Sequence, residues 1–222
     1  MKAQRNIIIL ITVFACICMG LVDAVIQPGY MVKSAIKLVL FLLLPIIYSI
    51  YDKNCDLKKL FIPNKRGILL AFLLGVGVYA VILSAYLIFR NVFDFSALTS
   101  SLTSTTGVNK GNFIFVAVYI SFVNSLLEEF FFRGFSFLAL KQAAGRRLAY
   151  TVSSAMFALY HIAMMIGWFG LPVILLSLVG LFIGGVIFNY FNEKYNNIYL
   201  SWLIHMFANF AINTIGFILF NS

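Results

Sequence analysis

Seven apolar runs, near residues 6–26, 34–51, 67–89, 112–139, 148–166, 171–191 and 197–220, take up nearly all of this 222-residue chain. Each approaches or exceeds the roughly 20 residues that cross a bilayer as an α-helix. The expected fold is therefore all-α: a polytopic membrane bundle of about seven to eight helices, one membrane-embedded domain over residues 1–222. Composition agrees, since 63% of the residues are hydrophobic and 10% charged, whereas a soluble domain is nearer half and a quarter. The sequence contains no low-complexity tract and no stretch that reads as a soluble domain.

A net charge of +9 raises the question of a nucleic-acid partner, and the placement of the charge answers it. If the runs span, one side holds Lys2, Arg5, Lys53, Lys58, Lys59, Lys65, Arg66, Lys141, Arg146, Arg147 and Lys194, eleven basic residues. The other side holds four, Lys33, Lys37, Arg90 and Lys110, and Arg133 lies inside a span. The bias predicts a cytoplasmic N-terminus in the cell membrane. The basic loops then meet anionic lipid rather than nucleic acid.

Smaller features qualify this layout. Lys2 and Arg5 before an apolar run, with Val22-Asp23-Ala24 after it, also resemble a signal peptide, though the run is long and the rest of the chain is polytopic. Gly111 to Leu140 is long for one span, about 45 Å of unbroken helix, and is expected to tilt or to surface in a turn near Gly134. Pro63-Asn64 closes the polar loop Asp52–Arg66, and Ser96–Gly111 reads as an external loop. Gly180-x-x-x-Gly184, followed by Gly185, allows close helix approach. Cys16, Cys18 and Cys55 form neither a disulfide framework nor a zinc spacing.

The chemistry lies in the polar groups inside the apolar runs. A charge at the bilayer centre costs roughly 2.5–3.5 kcal/mol on insertion scales, so such groups are read as functional. The fourth run carries Glu128-Glu129-Phe130-Phe131-Phe132-Arg133. Glu129 and Arg133 share a helix face and can pair, while Glu128 points elsewhere, with Asn124 one turn before it. Ser125 stands in the same relation to Glu129. The fifth run carries Phe157-x-x-x-His161, with Ser154 two turns before the histidine. The seventh carries His205, Asn209 and Asn213 at four-residue intervals, a stripe that must face protein or water. Counted from the cytoplasmic ends at about 1.5 Å per residue, Glu128, His161 and His205 fall roughly 8–20 Å into the membrane.

A carboxylate, two imidazoles and an amide at overlapping depth suit attack of water on an acyl group. Glu128 and His161 can share and activate a water, and His205 and Asn209 can stabilise an oxyanion. Alternatively Glu128, His161 and His205 hold zinc or another divalent metal. No His-Glu-x-x-His, no Gly-x-Ser-x-Gly and no intramembrane aspartate pair is present.

Glu128-Glu129…Arg133-Gly134, Phe157…His161 and His205…Asn209, in this order on three helices, resemble the CAAX protease and bacteriocin-processing (CPBP, or Abi) family. That family includes the type II CAAX prenyl endopeptidase. The resemblance covers a core near residues 112–220. It implies an intramembrane endopeptidase acting on a membrane-anchored or peptide substrate, with Glu128 and His161 activating water. His205 and Asn209 would stabilise the oxyanion, and Glu129 and Arg133 would support the site. The family is drawn with eight spans, and both metal-dependent and glutamate-only mechanisms have been described for it. Two other readings stay open: a non-proteolytic scaffold or bacteriocin self-immunity protein, and a proton-coupled transporter in which Glu128 and the histidines form a relay.

Overall fold

The computed structural model describes residues 2–52, 55–62, 65–92, 100, 103–104, 106–166 and 169–221. Lys53, the Pro63-Asn64 turn signal and much of the Ser96–Gly111 loop lie outside the described residues. Among the described residues, seven helices are long and apolar enough to cross a membrane. They are α1 (Lys2–Ile26), α2 (Tyr30–Tyr51), α3 (Ile68–Phe89), α4 (Phe113–Ala144), α5 (Arg146–Met165), α6 (Leu171–Tyr195) and α7 (Tyr199–Asn221).

Local chemistry sets several of the helix ends. Gln27, at φ 46, closes α1 in the left-handed region, just before Pro28-Gly29. Gly145, at φ 89, turns the chain from α4 into α5, a backbone conformation open to glycine at no steric cost. Asn196 ends α6 at φ 53, a site where asparagine is the best tolerated residue after glycine. Asn197 then accepts the Tyr199 backbone N–H at 3.0 Å and starts α7.

α4 lies at the centre. Every residue from Phe130 to Phe137 is buried, so this stretch is enclosed by protein on all sides rather than amphipathic. Phe131 stacks on Phe41 of α2 at 4.1 Å between ring centroids, and Phe132 meets Phe157 of α5 edge-on at 5.3 Å. Ser136 shares a 2.8 Å hydrogen bond with Thr12 of α1. α1 is thus packed into the bundle, with Ile8, Cys16 and Met19 buried. α3 lies along α7, and α6 lies along α5. Their outer faces leave Leu69, Leu73, Leu176 and Val179 exposed, the surface a lipid-facing helix presents.

The long fourth helix does not break near Gly134. It runs 32 residues to Ala144 and contains two wide-turn segments, Ile120–Asn124 and Phe130–Ala139. Wide turns with i→i+5 hydrogen bonds often accompany functional sites. Gly134 serves another purpose: a Cβ there would meet Leu60 Cδ1 at 2.5 Å. The glycine lets the short 3₁₀ turn Leu57–Phe61 tuck against α4, where the Leu60 carbonyl accepts the Ile198 N–H at 3.3 Å.

The small-residue motif of α6 works differently from its spacing. Gly180 and Gly184 face open space, while a Cβ on Gly185 would lie 3.0 Å from the Ser154 backbone of α5. The close approach belongs to Gly185 alone. Gly185→Leu is expected to force α6 off α5 at a cost of about 1–3 kcal/mol, seen as a lower melting temperature in detergent. Gly180→Leu is expected to leave that temperature unchanged. In the loop after α2, burial, with Asp52 and Asp56 nearby, pushes the Cys55 thiol up to about 12, so it stays protonated and inert.

Candidate active site

Glu128 and Glu129 sit in the short segment Ser125–Glu129, between the two wide turns of α4. Both are buried, at 2% and 0% exposure. They point to different partners, as adjacent helix positions must.

Glu128 uses its two oxygens unequally. Oε1 accepts from Lys37 Nζ at 2.5 Å and from Asn124 Nδ2 at 3.0 Å. Oε2 is buried without a hydrogen-bond partner. It faces His161 Nε2 at 3.6 Å and His205 Nε2 at 3.7 Å. Three side chains predicted from separate runs therefore meet around one oxygen.

The remaining contacts define the histidines. His161 Nδ1 lies 2.7 Å from the Phe157 carbonyl, to which it donates, so the neutral ring presents a lone pair at Nε2. The Phe157-x-x-x-His161 spacing is the geometry of that bond: one residue supplies the carbonyl and the other the ring. His205 Nδ1 donates to Glu129 Oε1 at 2.9 Å, and its Nε2 donates only when the ring carries both protons. Phe157 and Phe188 wall the His205 ring at centroid distances of 6.0 and 5.8 Å.

Glu129 and Arg133 pair within their helix, Oε2 to Nε at 3.5 Å. The guanidinium is fully buried and its nitrogens make no hydrogen bond. Its Cζ lies 3.9 Å from the Phe157 ring centroid and 4.9 Å from that of Phe188. Cation–π attraction of this kind reaches about 2 kcal/mol when the cation is desolvated. Glu129 thus orients His205 as well as holding Arg133, which intrahelical spacing alone does not reveal.

Asn209 and Asn213 face α4. Asn209 Nδ2 donates to the Ile120 carbonyl at 3.1 Å. Asn213 donates to the Ala117 carbonyl at 3.2 Å and to Ser121 Oγ at 3.0 Å. Trp202 Nε1 adds bonds to the Phe122 carbonyl and Ser125 Oγ. The polar stripe of α7 therefore laces the first wide turn of α4 in place, and Asn209 keeps its second amide hydrogen. Ser154, two turns before His161, accepts from Asn189 of α6 at 3.1 Å.

Helix-end counting does not explain this convergence. His161 lies about one turn from the end of α5, whereas His205 lies under two turns from the start of α7. The helices are staggered, and the histidines meet because of it.

Lys37 is the residue the sequence reading misplaced. It belongs to no loop but to α2, at 4% exposure, with Nζ also 2.6 Å from Asn124 Oδ1. One turn earlier, Lys33 pairs with Asp23 of α1. The buried carboxylates Asp23, Glu128 and Glu129 thus each face a cation: Lys33, Lys37 and Arg133. The signal lay in Glu128, which has no counter-charge in its own helix and so requires one from another span. Among the described residues, no group of three His, Cys, Asp or Glu is arranged to hold a metal ion.

Residues 110–211 match the family model described as type II CAAX prenyl endopeptidase Rce1-like. The match contains all of the paired and facing residues above except Asp23, Lys33, Lys37 and Asn213. It bears out the resemblance read from the motifs and supports an intramembrane CAAX-type endopeptidase. With the seven apolar helices, it indicates an integral membrane protein. No curated protein and no solved structure matches the chain.

Proposed function

We propose that the chain is an intramembrane endopeptidase that hydrolyses a peptide bond in a membrane-anchored protein or peptide, using a water held by Glu128 and His161. The observation that carries this reading is the facing pair Glu128 Oε2 and His161 Nε2, 3.6 Å apart. Both are acceptors, so they do not bond each other. A water between them donates one hydrogen to each and turns a lone pair toward a substrate carbonyl.

In the step that follows, the water oxygen attacks the carbonyl carbon and its proton passes to Glu128 Oε2. The carbonyl oxygen takes the negative charge. His205, doubly protonated and held through Nδ1 by Glu129, donates to that oxygen from Nε2, and Asn209 donates its second amide hydrogen. The C–N bond then breaks, and the proton stored on Glu128 goes to the leaving amine. Donors fixed in a dry site of this kind do not have to reorganise as charge develops, which is where most of their effect arises.

A divalent metal on Glu128, His161 and His205 is the competing mechanism. Glu128 already binds an ammonium through Oε1, which repels a dication at the same carboxylate. Protein stripped by chelator and verified by elemental analysis is expected to keep full activity; loss of activity restored by zinc alone would overturn the glutamate-only mechanism.

Basic residues remain concentrated on one side once Lys37 leaves the loop count, which supports a cytoplasmic N-terminus. The test compares cell-surface and secreted peptides from cells carrying wild type or Glu128→Gln. A peptide present only with wild type identifies substrate and cleavage site. Identical peptide profiles would favour the scaffold or immunity reading, and pH-dependent flux in proteoliposomes would favour transport.

A further inference from the structure

We propose that Lys37 is a positioning residue of this site, committing Glu128 to act through Oε2 by occupying Oε1. The proposal rests on the reading of Glu128 as the base, and on four observations about Lys37 itself. Its ammonium is buried and lies 2.5 Å from Oε1. It also bonds Asn124 Oδ1 at 2.6 Å, while Asn124 Nδ2 bonds the same Oε1, closing a three-membered ring of contacts. Its Nζ stands 5.0 Å from the Tyr160 ring centroid and 5.5 Å from that of Phe41, aromatic faces that favour a cation. The nearest cation on its own helix, Lys33, is engaged by Asp23 and so adds little repulsion.

The consequence is an asymmetric carboxylate. Two donors hold Oε1, and none holds Oε2. A free carboxylate rotates and presents either oxygen to a water. This one presents Oε2, toward the two histidine Nε2 atoms. A lysine suits the task because its ammonium is a point charge on a flexible stem. An arginine fork in its place engages both oxygens of a carboxylate and so covers the one that has to stay open. Lys37 reaches Glu128 from α2, outside the 110–211 match, so the site is completed by the part of the chain the family resemblance does not cover.

The test uses full-length protein in detergent or nanodiscs, with wild type and Glu128→Gln first establishing cleavage. Lys37→Met and Lys37→Gln are expected to lower kcat by about 10²-fold, the cost of misplacing a reacting group by an ångström. KM is expected to stay within about twofold, because Lys37 acts through Glu128 and not on substrate. The Gln variant is expected to keep more activity, since its amide still donates to Oε1. Lys37→Arg is expected to be folded and as impaired as Lys37→Met. An Arg variant with wild-type kcat would show that charge alone suffices and would overturn positioning. So would a folded Met or Gln variant with unchanged kcat, or a defect confined to KM. If Lys37→Met does not fold, the Gln and Arg variants carry the kcat reading.

A wild type as inactive as Glu128→Gln would overturn the proposed function instead. The pairing is then read from melting temperatures: Lys37→Met/Glu128→Gln is expected to melt above Lys37→Met. A double variant no more stable than the single would overturn the pairing itself.

Discussion

Purified Glu128→Gln is expected to lose peptide hydrolysis by about 10²–10⁴-fold, the usual contribution of a general acid–base group, while remaining inserted and folded. The amide keeps the size of the carboxyl group and can still accept from Lys37 and Asn124 through its oxygen. It removes the basic Oε2 that faces His161 at 3.6 Å, so the water has no acceptor for its proton. The measurement is cleavage of a reporter peptide in detergent, with melting temperature and monodispersity as controls. His161→Ala is expected to fall in the same range but to act through the other half of the water site. The double variant should then cost less than the sum of the two losses, because residues that act as a unit are not additive. A Glu128→Gln protein that cleaves like wild type would end the assignment of Glu128 as the base.

Arg133→Met is expected to destabilise the protein by about 3–5 kcal/mol, the cost of breaking a buried ion pair from one side. Arg133 and Glu129 are both fully buried, and removing the guanidinium leaves the carboxylate with only His205 for a partner. The loss also takes the cation from between the Phe157 and Phe188 rings. Thermal melting in detergent measures it. Glu129→Gln/Arg133→Met should recover part of the loss, since no unpaired charge is then buried. It should not recover activity, because His205 then loses the carboxylate that orients its ring through Nδ1. A single variant that melts like wild type would show that the pair contributes nothing to stability.

Much of this site was legible in the sequence, because helix periodicity is a local property. The apolar runs marked the seven spans. Four-residue spacing put Glu129 beside Arg133, Asn124 beside Glu128 and Phe157 one turn before His161. Each of those contacts lies within one helix, where geometry follows from position in the chain. The same spacing said that His205, Asn209 and Asn213 face protein, but not that α4 carbonyls receive the two asparagines. The glycine motif failed for a related reason: the residue that touches a neighbouring helix depends on how that helix is rotated, and Gly185, not Gly180, faces α5.

The sequence by itself determined the membrane bundle, the buried carboxylates and the histidines available to them, since each of these is written as a run or a spacing along one helix. Only the tertiary structure decided how they are shared. His205 goes to Glu129 through Nδ1, His161 turns Nε2 to Glu128, and Lys37, 91 positions away in the chain, takes Oε1. The physical reason is that a charge buried in an apolar bundle must be paired, but the stagger and rotation of neighbouring helices choose the partner, and neither is encoded in the period of a single helix.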